Sequence, residues 1–321
     1  MKRRELIAIL GGTAMAAARA QAAERVVGWI SPESRDTTAP FFNAFKAGLQ
    51  ANAPTGGDTV RVIERYVVGG PEALAQSVAE LQKEGVNLIV AQGAATLPVV
   101  RAKPSVPVVF AFSGDPVVAG IVQSLAHPGG DATGVSFMSI ELNPKRIDLL
   151  RTALPDCRKV ALLSNARHAG EENDIAASQR AVEKVGIELS VWRSQGPAET
   201  SSVVAQALDA GAQALVMLPS SPMVQQAPAI VGQCLARKVP VVSGWASIAR
   251  AGALLTYGPN LQDMYKRVGW YVMRVLGGGV AGNLPIEQPT TFELVINKKT
   301  ADRLGIALPP SLLVQAGEVI D

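Results

Sequence analysis

At 321 residues, 48% hydrophobic and 18% charged, the chain is long enough for two globular domains, each with its own core. Its formal charge of +3 resides in residues 1–20, where Lys2, Arg3, Arg4 and Arg19 outnumber Glu5. The remainder is neutral, which excludes the clustered basic face of a nucleic-acid binder, while two cysteines and two histidines exclude a disulfide scaffold and leave little for a histidine-based metal site.

The chain opens as an export leader. A basic start is followed by the short apolar run 6–17 and by Ala18-Arg19-Ala20, a small-x-small cleavage pattern. The run falls short of the roughly 20 residues that span a bilayer, and no later stretch approaches that length. Residues 1–23 are therefore expected to be a cleavable signal peptide and the rest an exported, periplasmic body. Arg3-Arg4 leaves ordinary and twin-arginine export both open, cleavage after Ala20, Ala22 or Ala23 is equally compatible, and an uncleaved amphipathic helix is the other reading. No Cys follows the leader, so no lipid anchor is expected.

Apolar runs at 25–30, 60–66, 86–91, 106–112, 160–164, 187–192, 212–218, 239–243 and 253–257 then alternate with helical patterns. Most are continuous rather than alternating in polarity, the signature of strands buried on both faces of a parallel sheet. The helix expected over 71–84 starts with Pro71, places Leu74, Val78 and Leu81 on one face, and stops at Gly85. A helix over 145–154 leads into the second half. Asn260 caps another helix, whose stripe Leu261, Met264, Val268, Val272 and Val275 ends at Gly277-Gly278-Gly279. Residues 85–90 and 106–110 (GVNLIV, VPVVF) are echoed at 211–216 and 239–243 (GAQALV, VPVVS), as two lobes of one α/β design would be. Cys157 and Cys234 read as two separate buried thiols, with one disulfide as the alternative.

Residues 114–120 (GDPVVAG), 125–137 (LAHPGGDATGVSF), 255–260 (LTYGPN) and 285–301 (PIEQPTTFELVINKKTA) together resemble the periplasmic substrate-binding proteins of ABC transporters that include tryptophan- and tyrosine-binding members. The resemblance runs from the leader to Val319-Ile320. It implies an α/β fold of the type I periplasmic-binding-protein kind: two Rossmann-like lobes with parallel sheets, joined by three crossings near 133–139, 255–259 and 285–292. Residues 24–136 with 257–284 would form one lobe, and 137–256 with 285–321 the other. It implies a monomer that closes on a small molecule and presents it to an inner-membrane permease. No cofactor and no nucleic-acid partner are expected. Cytoplasmic repressors share this fold, and the leader separates this chain from them.

Open parallel sheets bind beyond the carboxyl ends of their strands. That rule selects Ser31, Gly93-Ala94-Ala95-Thr96, Ser113 and Asp115 in the first lobe, and Asn165, Ser220 and Trp245 in the second, with Tyr257 at a crossing. The segment 93–96 would offer free N–H groups to a carboxylate, or be a plain strand-to-helix turn. Asp115 before Pro116 would accept an ammonium group or cap a helix. Ser31, Ser113, Asn165 and Ser220 are hydrogen-bonding or turn residues. Trp245 would stack on a planar ligand or cover the lobe surface; Tyr257 would pack the hinge or touch the ligand. No G-x-S-x-G elbow, P-loop or G-x-G-x-x-G is present. The expected ligand is an amino acid or a similar small polar molecule, with an aromatic one favoured; no acidic residue follows 241–244 to meet an ammonium group, so a ligand without an amino group stays open. A secreted hydrolase and a receptor feeding a sensor kinase are the rival readings.

Overall fold

The computed structural model describes residues 24–53, 59–67, 69–137 and 140–321. The proposed leader and residues 138–139 of the first crossing lie outside them. Parallel strands need helical crossovers, and the first half supplies them: β1 (Glu24–Ser31), α1 (Arg35–Ala51), β2 (Thr59–Tyr66), α2 (Pro71–Lys83), β3 (Leu88–Gln92), α3 (Thr96–Arg101), β4 (Val108–Phe112) and β5 (Ala132–Ser136). These strands form a five-stranded parallel sheet in the order β2-β1-β3-β4-β5.

The second half repeats the pattern. Its elements are α4 (Leu142–Ala153), β6 (Lys159–Asn165), α5 (Glu171–Glu183), β7 (Glu188–Ser194), α6 (Pro197–Asp209), β8 (Ala214–Met217), α7 (Ser221–Ala236), β9 (Val241–Ser243), α8 (Ala246–Arg250), β10 (Leu255–Pro259), α9 (Leu261–Leu276), β11 (Phe292–Asn297), α10 (Lys298–Leu304), α11 (Pro310–Gln315) and β12 (Glu318–Ile320). The seven-stranded sheet runs β12-β11-β10-β9-β8-β6-β7 and is parallel except where β10 meets β11.

Three strands were not among the expected runs: β5, β11 and β12. β5 contains Gly134, packed so closely on Phe110 that a Cβ would come within 2.1 Å of its carbonyl oxygen. A glycine in so short a run reads as a loop. β11 is an antiparallel neighbour that mixes Phe292 and Glu293 with apolar residues, and β12 has only three residues.

The chain passes between the sheets three times. It leaves the first after β5, returns after β10 when α9 packs on α1, and leaves again after Glu287 bridges Val135 of β5. The α1–α9 contact is close because Gly48 carries no side chain. A Cβ there would lie 2.1 Å from the Lys266 carbonyl oxygen. Asn260 caps α9 as its sequence promised, accepting from the Asp263 N–H at 3.1 Å.

Ser34 caps α1, and Pro40 lies within it. Phe42 and Phe45 pack around the fully buried Trp29, at ring-centroid distances of 5.2 and 5.1 Å, with Tyr265 of α9 at 6.0 Å. This aromatic knot fastens α1 and α9 to the first sheet. Cys157 and Cys234 are both free and buried. No helix among the described residues is long and apolar enough to cross a membrane.

Candidate functional site

The strand ends of the two sheets meet along one seam, and hydrogen bonds cross it. The Asp115 N–H donates to the Ala169 carbonyl at 3.0 Å, and His168 Nε2 lies 3.3 Å from Ser113 Oγ. Gly93 has a positive φ of 55°, with Ser221 Oγ 2.4 Å from where its Cβ would stand. A side chain at 93 would be strained at this φ and would force the Ser221 hydroxyl of the facing lobe to move.

At its mouth the seam opens into a cavity of about 670 Å³. The first lobe lines it with Ala94, Leu97, Pro98, Arg101, Phe112 and Ser113; the second adds Asn165, Arg167, His168, Gln195, Pro197 and Pro222. The walls are mostly apolar. Arg101 and Arg167 have no ion-pair partner among the described residues. Glu72, on the rim formed by α2, is the one carboxylate among the lining residues. Burial drives the His168 imidazole down to about 4, so it is neutral near pH 7.

The residues selected from the sequence fall into three groups. Ala94, Ser113 and Asn165 line the cavity. Gly93, Ala95 and Thr96 form the turn behind Ala94, where Thr96 Oγ1 donates to the Ala91 carbonyl at 3.3 Å. Ser220 sits at the start of α7, 2% exposed, with its hydroxyl unpartnered; with Asn165 and His168 it lines a small adjoining void.

The others are occupied by structure. Ser31 is buried and donates to Gln92 Oε1 at 3.0 Å while accepting from the Glu33 N–H. Asp115 Oδ1 accepts from Val117 and Val118, closing a turn rather than opening a helix. Trp245 is 5% exposed and meets Phe137 edge-on at 6.2 Å, deep in the seam. The Tyr257 ring lies against Phe292 on the second lobe, 6.2 Å away. Neither Trp245 nor Tyr257 lines the cavity.

Sequence reading passed over three buried charged groups, Glu33, Arg146 and Glu171. Glu33 follows Ser31-Pro32 at the end of β1 and is 4% exposed. Burial pushes its carboxyl up to about 6, against hydrogen bonds from Ser221, Gln92 and Gln225 that favour its charge. Stopping at Pro32 hid it; extending the strand-end rule by one residue would have found it. Arg146 is buried beneath Gly244 at the end of β9. Its Nε donates to the Tyr257 carbonyl at 2.8 Å and its Nη1 to Asn143 Oδ1 at 2.6 Å. Burial lowers the guanidinium to about 10, partly offset by Asp174. Asn143 is its neighbour on α4, but the groups that account for its burial, Tyr257 and Asp174, lie on β10 and α5, so nothing local in the sequence marks Arg146.

With this geometry in hand, comparisons with known proteins are specific. A family model described as ABC transporter substrate binding protein matches residues 26–320. The tyrosine-binding protein of Clostridioides difficile is 25% identical over 210 residues, which cover 64% of this chain and 59% of that protein, under two thirds of its length. A solved structure of an ABC domain in complex with L-Trp from Streptococcus pneumonia superposes with a TM-score of 0.85 at 23% identity, covering 93% of this chain and all of that one. A solute-binding protein of Rhodopseudomonas palustris in complex with 3,4-dihydroxybenzoic acid gives a TM-score of 0.57 at 16% identity, covering 81% and 83%. The fold is that of the type I periplasmic binding proteins.

Proposed function

The chain belongs to the family of ABC transporter substrate-binding proteins, and from that premise we propose that it is the periplasmic receptor of an importer. Residues 1–23 direct export. Residues 24–136 with 257–284 and residues 137–256 with 285–321 act as two lobes that close by hinge motion and hand a solute to an inner-membrane permease. The transporter's ATPase supplies the energy, so the chain works as a monomer by reversible binding without turnover.

The observation that carries this reading is the cavity of about 670 Å³ shared by both lobes, a volume within the range that encloses a small organic ligand. Its apolar walls, Leu97, Pro98, Phe112, Pro197 and Pro222, suit a flat hydrophobic body. Arg101 and Arg167 supply charge for a carboxylate, with Ala94 and the turn 93–96 beside them. Ser113, Asn165 and the free hydroxyl of Ser220 offer polar contacts. The ligand class is an aromatic amino acid, in keeping with the names of the relatives. A second reading, an aromatic acid without an amino group, is favoured by the single carboxylate of Glu72 set against two arginines.

Melting the mature protein against L-tryptophan, L-tyrosine, L-leucine and 3,4-dihydroxybenzoate tests both. A ligand at 100 times its dissociation constant adds about 2.7 kcal/mol of stability. The expected result is a saturable shift with the compound recovered unchanged. Consumption of the compound, or no shift across this panel and a wider set of small carboxylates, overturns the receptor reading.

A further inference from the structure

Two titratable side chains bridge the closed seam, and among the described residues neither meets an opposite charge from the facing lobe. Glu33 leaves the end of β1 and bonds to Gln92 in its own lobe and to Ser221 and Gln225 of α7 in the other. Tyr265 of α9 also faces it, its phenol held well above its usual value by burial and then by the Glu33 charge. Every group around the carboxyl is thus uncharged near pH 7. On the other side, His168 follows β6 and reaches Ser113 at the end of β4. Glu171 of its own lobe is the charge that bears on the ring. Asp115 faces the neighbouring Gly170, and Arg101 and Arg167 line the adjoining cavity.

We propose that Glu33 and His168 are opposed positioning residues for lobe closure: closing takes up a proton at the Glu33 carboxyl and gives one up from the His168 ring. This rests on hinged lobes but not on the identity of the ligand. When the lobes part, water reaches both groups and their ordinary values return. In the closed seam, burial holds Glu33 at about 6 against 4.5, and His168 at about 4 against 6.5.

The signs follow from which form each proton prefers. Protonated Glu33 belongs to the closed form, so its support for closure is complete below pH 4.5 and is lost as the pH rises through about 6. Neutral His168 also belongs to the closed form. Its support is complete above pH 6.5 and is lost as the pH falls through that value toward about 4. The two slopes oppose each other over the same interval. Closure of the native chain therefore varies less with pH than either group alone would make it vary, which suits a receptor exposed to outside acidity.

Exposed Gln76 on α2 and Ala198 on α6 accept cysteines for a donor–acceptor dye pair, since Cys157 and Cys234 are buried. The ratio of closed to open empty protein is read from about pH 7.5 to about pH 4.5 in otherwise full mature chains. In Glu33→Gln, acid should open the protein, the ratio falling more than about tenfold. In His168→Gln, acid should close it, the ratio rising more than about tenfold. The native profile should lie between them. Melting temperatures near that of the native protein establish that both variants fold. Two variants that follow the native profile, or slopes of the reverse sign, overturn the proposal while leaving the receptor reading intact. A single distance at every pH in all three proteins overturns the hinge as well.

Discussion

At the inner end of the seam, Trp245, Phe137 and Tyr265 lie ring against ring, at 6.2 and 5.6 Å between centroids. At the mouth, Ala94, Ser113, Asn165 and Pro222 border open space. Apart from Tyr265 on α9 and Pro222 on α7, both ends are built from residues at or just past strand termini, so the rule that selects binding residues selects structural ones equally well. What separates the ends is side-chain size. Large rings fill the inner end and exclude water. Alanine, serine and proline at the mouth leave open space, beside arginines that have no ion-pair partner among the described residues. The difference teaches that here a tryptophan at a strand end marks the seal, and the small residues mark the vacancy.

The largest effect that bears on this contrast comes from the seal. Trp245→Ala should destabilise the protein by about 3 kcal/mol, as loss of a buried indole does, measured by urea unfolding. Ligand affinity should change little, so a large loss of affinity would place ligand at the inner end too. Gly48→Val comes next. Its side chain would have to push α1 off α9 at Lys266, an overpacking cost of about 1–3 kcal/mol read in the same unfolding experiment. At the mouth, Arg167→Gln should weaken binding of a carboxylate ligand roughly tenfold, about 1.4 kcal/mol, with an unchanged melting temperature. Calorimetric titration checks it. The smallest effect belongs to the surface, where Arg237 and Asp209 pair at 2.9 Å with both side chains more than half exposed. Arg237→Ala should cost less than about 0.5 kcal/mol.

The fold was legible where local physics decided it. Continuous apolar runs announced the buried parallel strands, Pro71 and Gly85 bracketed α2, and Asn260 began α9 at its cap. β5 was not legible, because Gly134 is there to let Phe110 approach and not to make a turn. The candidate site was only half legible. Ala94, Ser113 and Asn165 do line the cavity, yet Asp115 and Ser31 spend their polar atoms on local turns and a neighbouring strand. Of the arginines of the mouth, Arg101 lies on α3, away from any strand end, whereas Arg167 stands two residues past Asn165, just beyond the residue the strand-end rule selected. Glu33 sits within reach of the strand-end rule, but the burial that gives Glu33 and Arg146 their character comes from elements tens of residues away, which no local pattern encodes.

The claim on which the account rests is that the ligand occupies the cavity at the mouth. The most direct measurement is calorimetric titration of the native protein and of Ala94→Trp, using the compound that gives the largest melting shift. Ala94 is exposed on the cavity wall, so an indole there fills the space without disturbing the core. Affinity should fall more than about tenfold, with the melting temperature of the empty protein preserved. Native affinity in a folded Ala94→Trp protein would contradict it and move the ligand elsewhere along the seam.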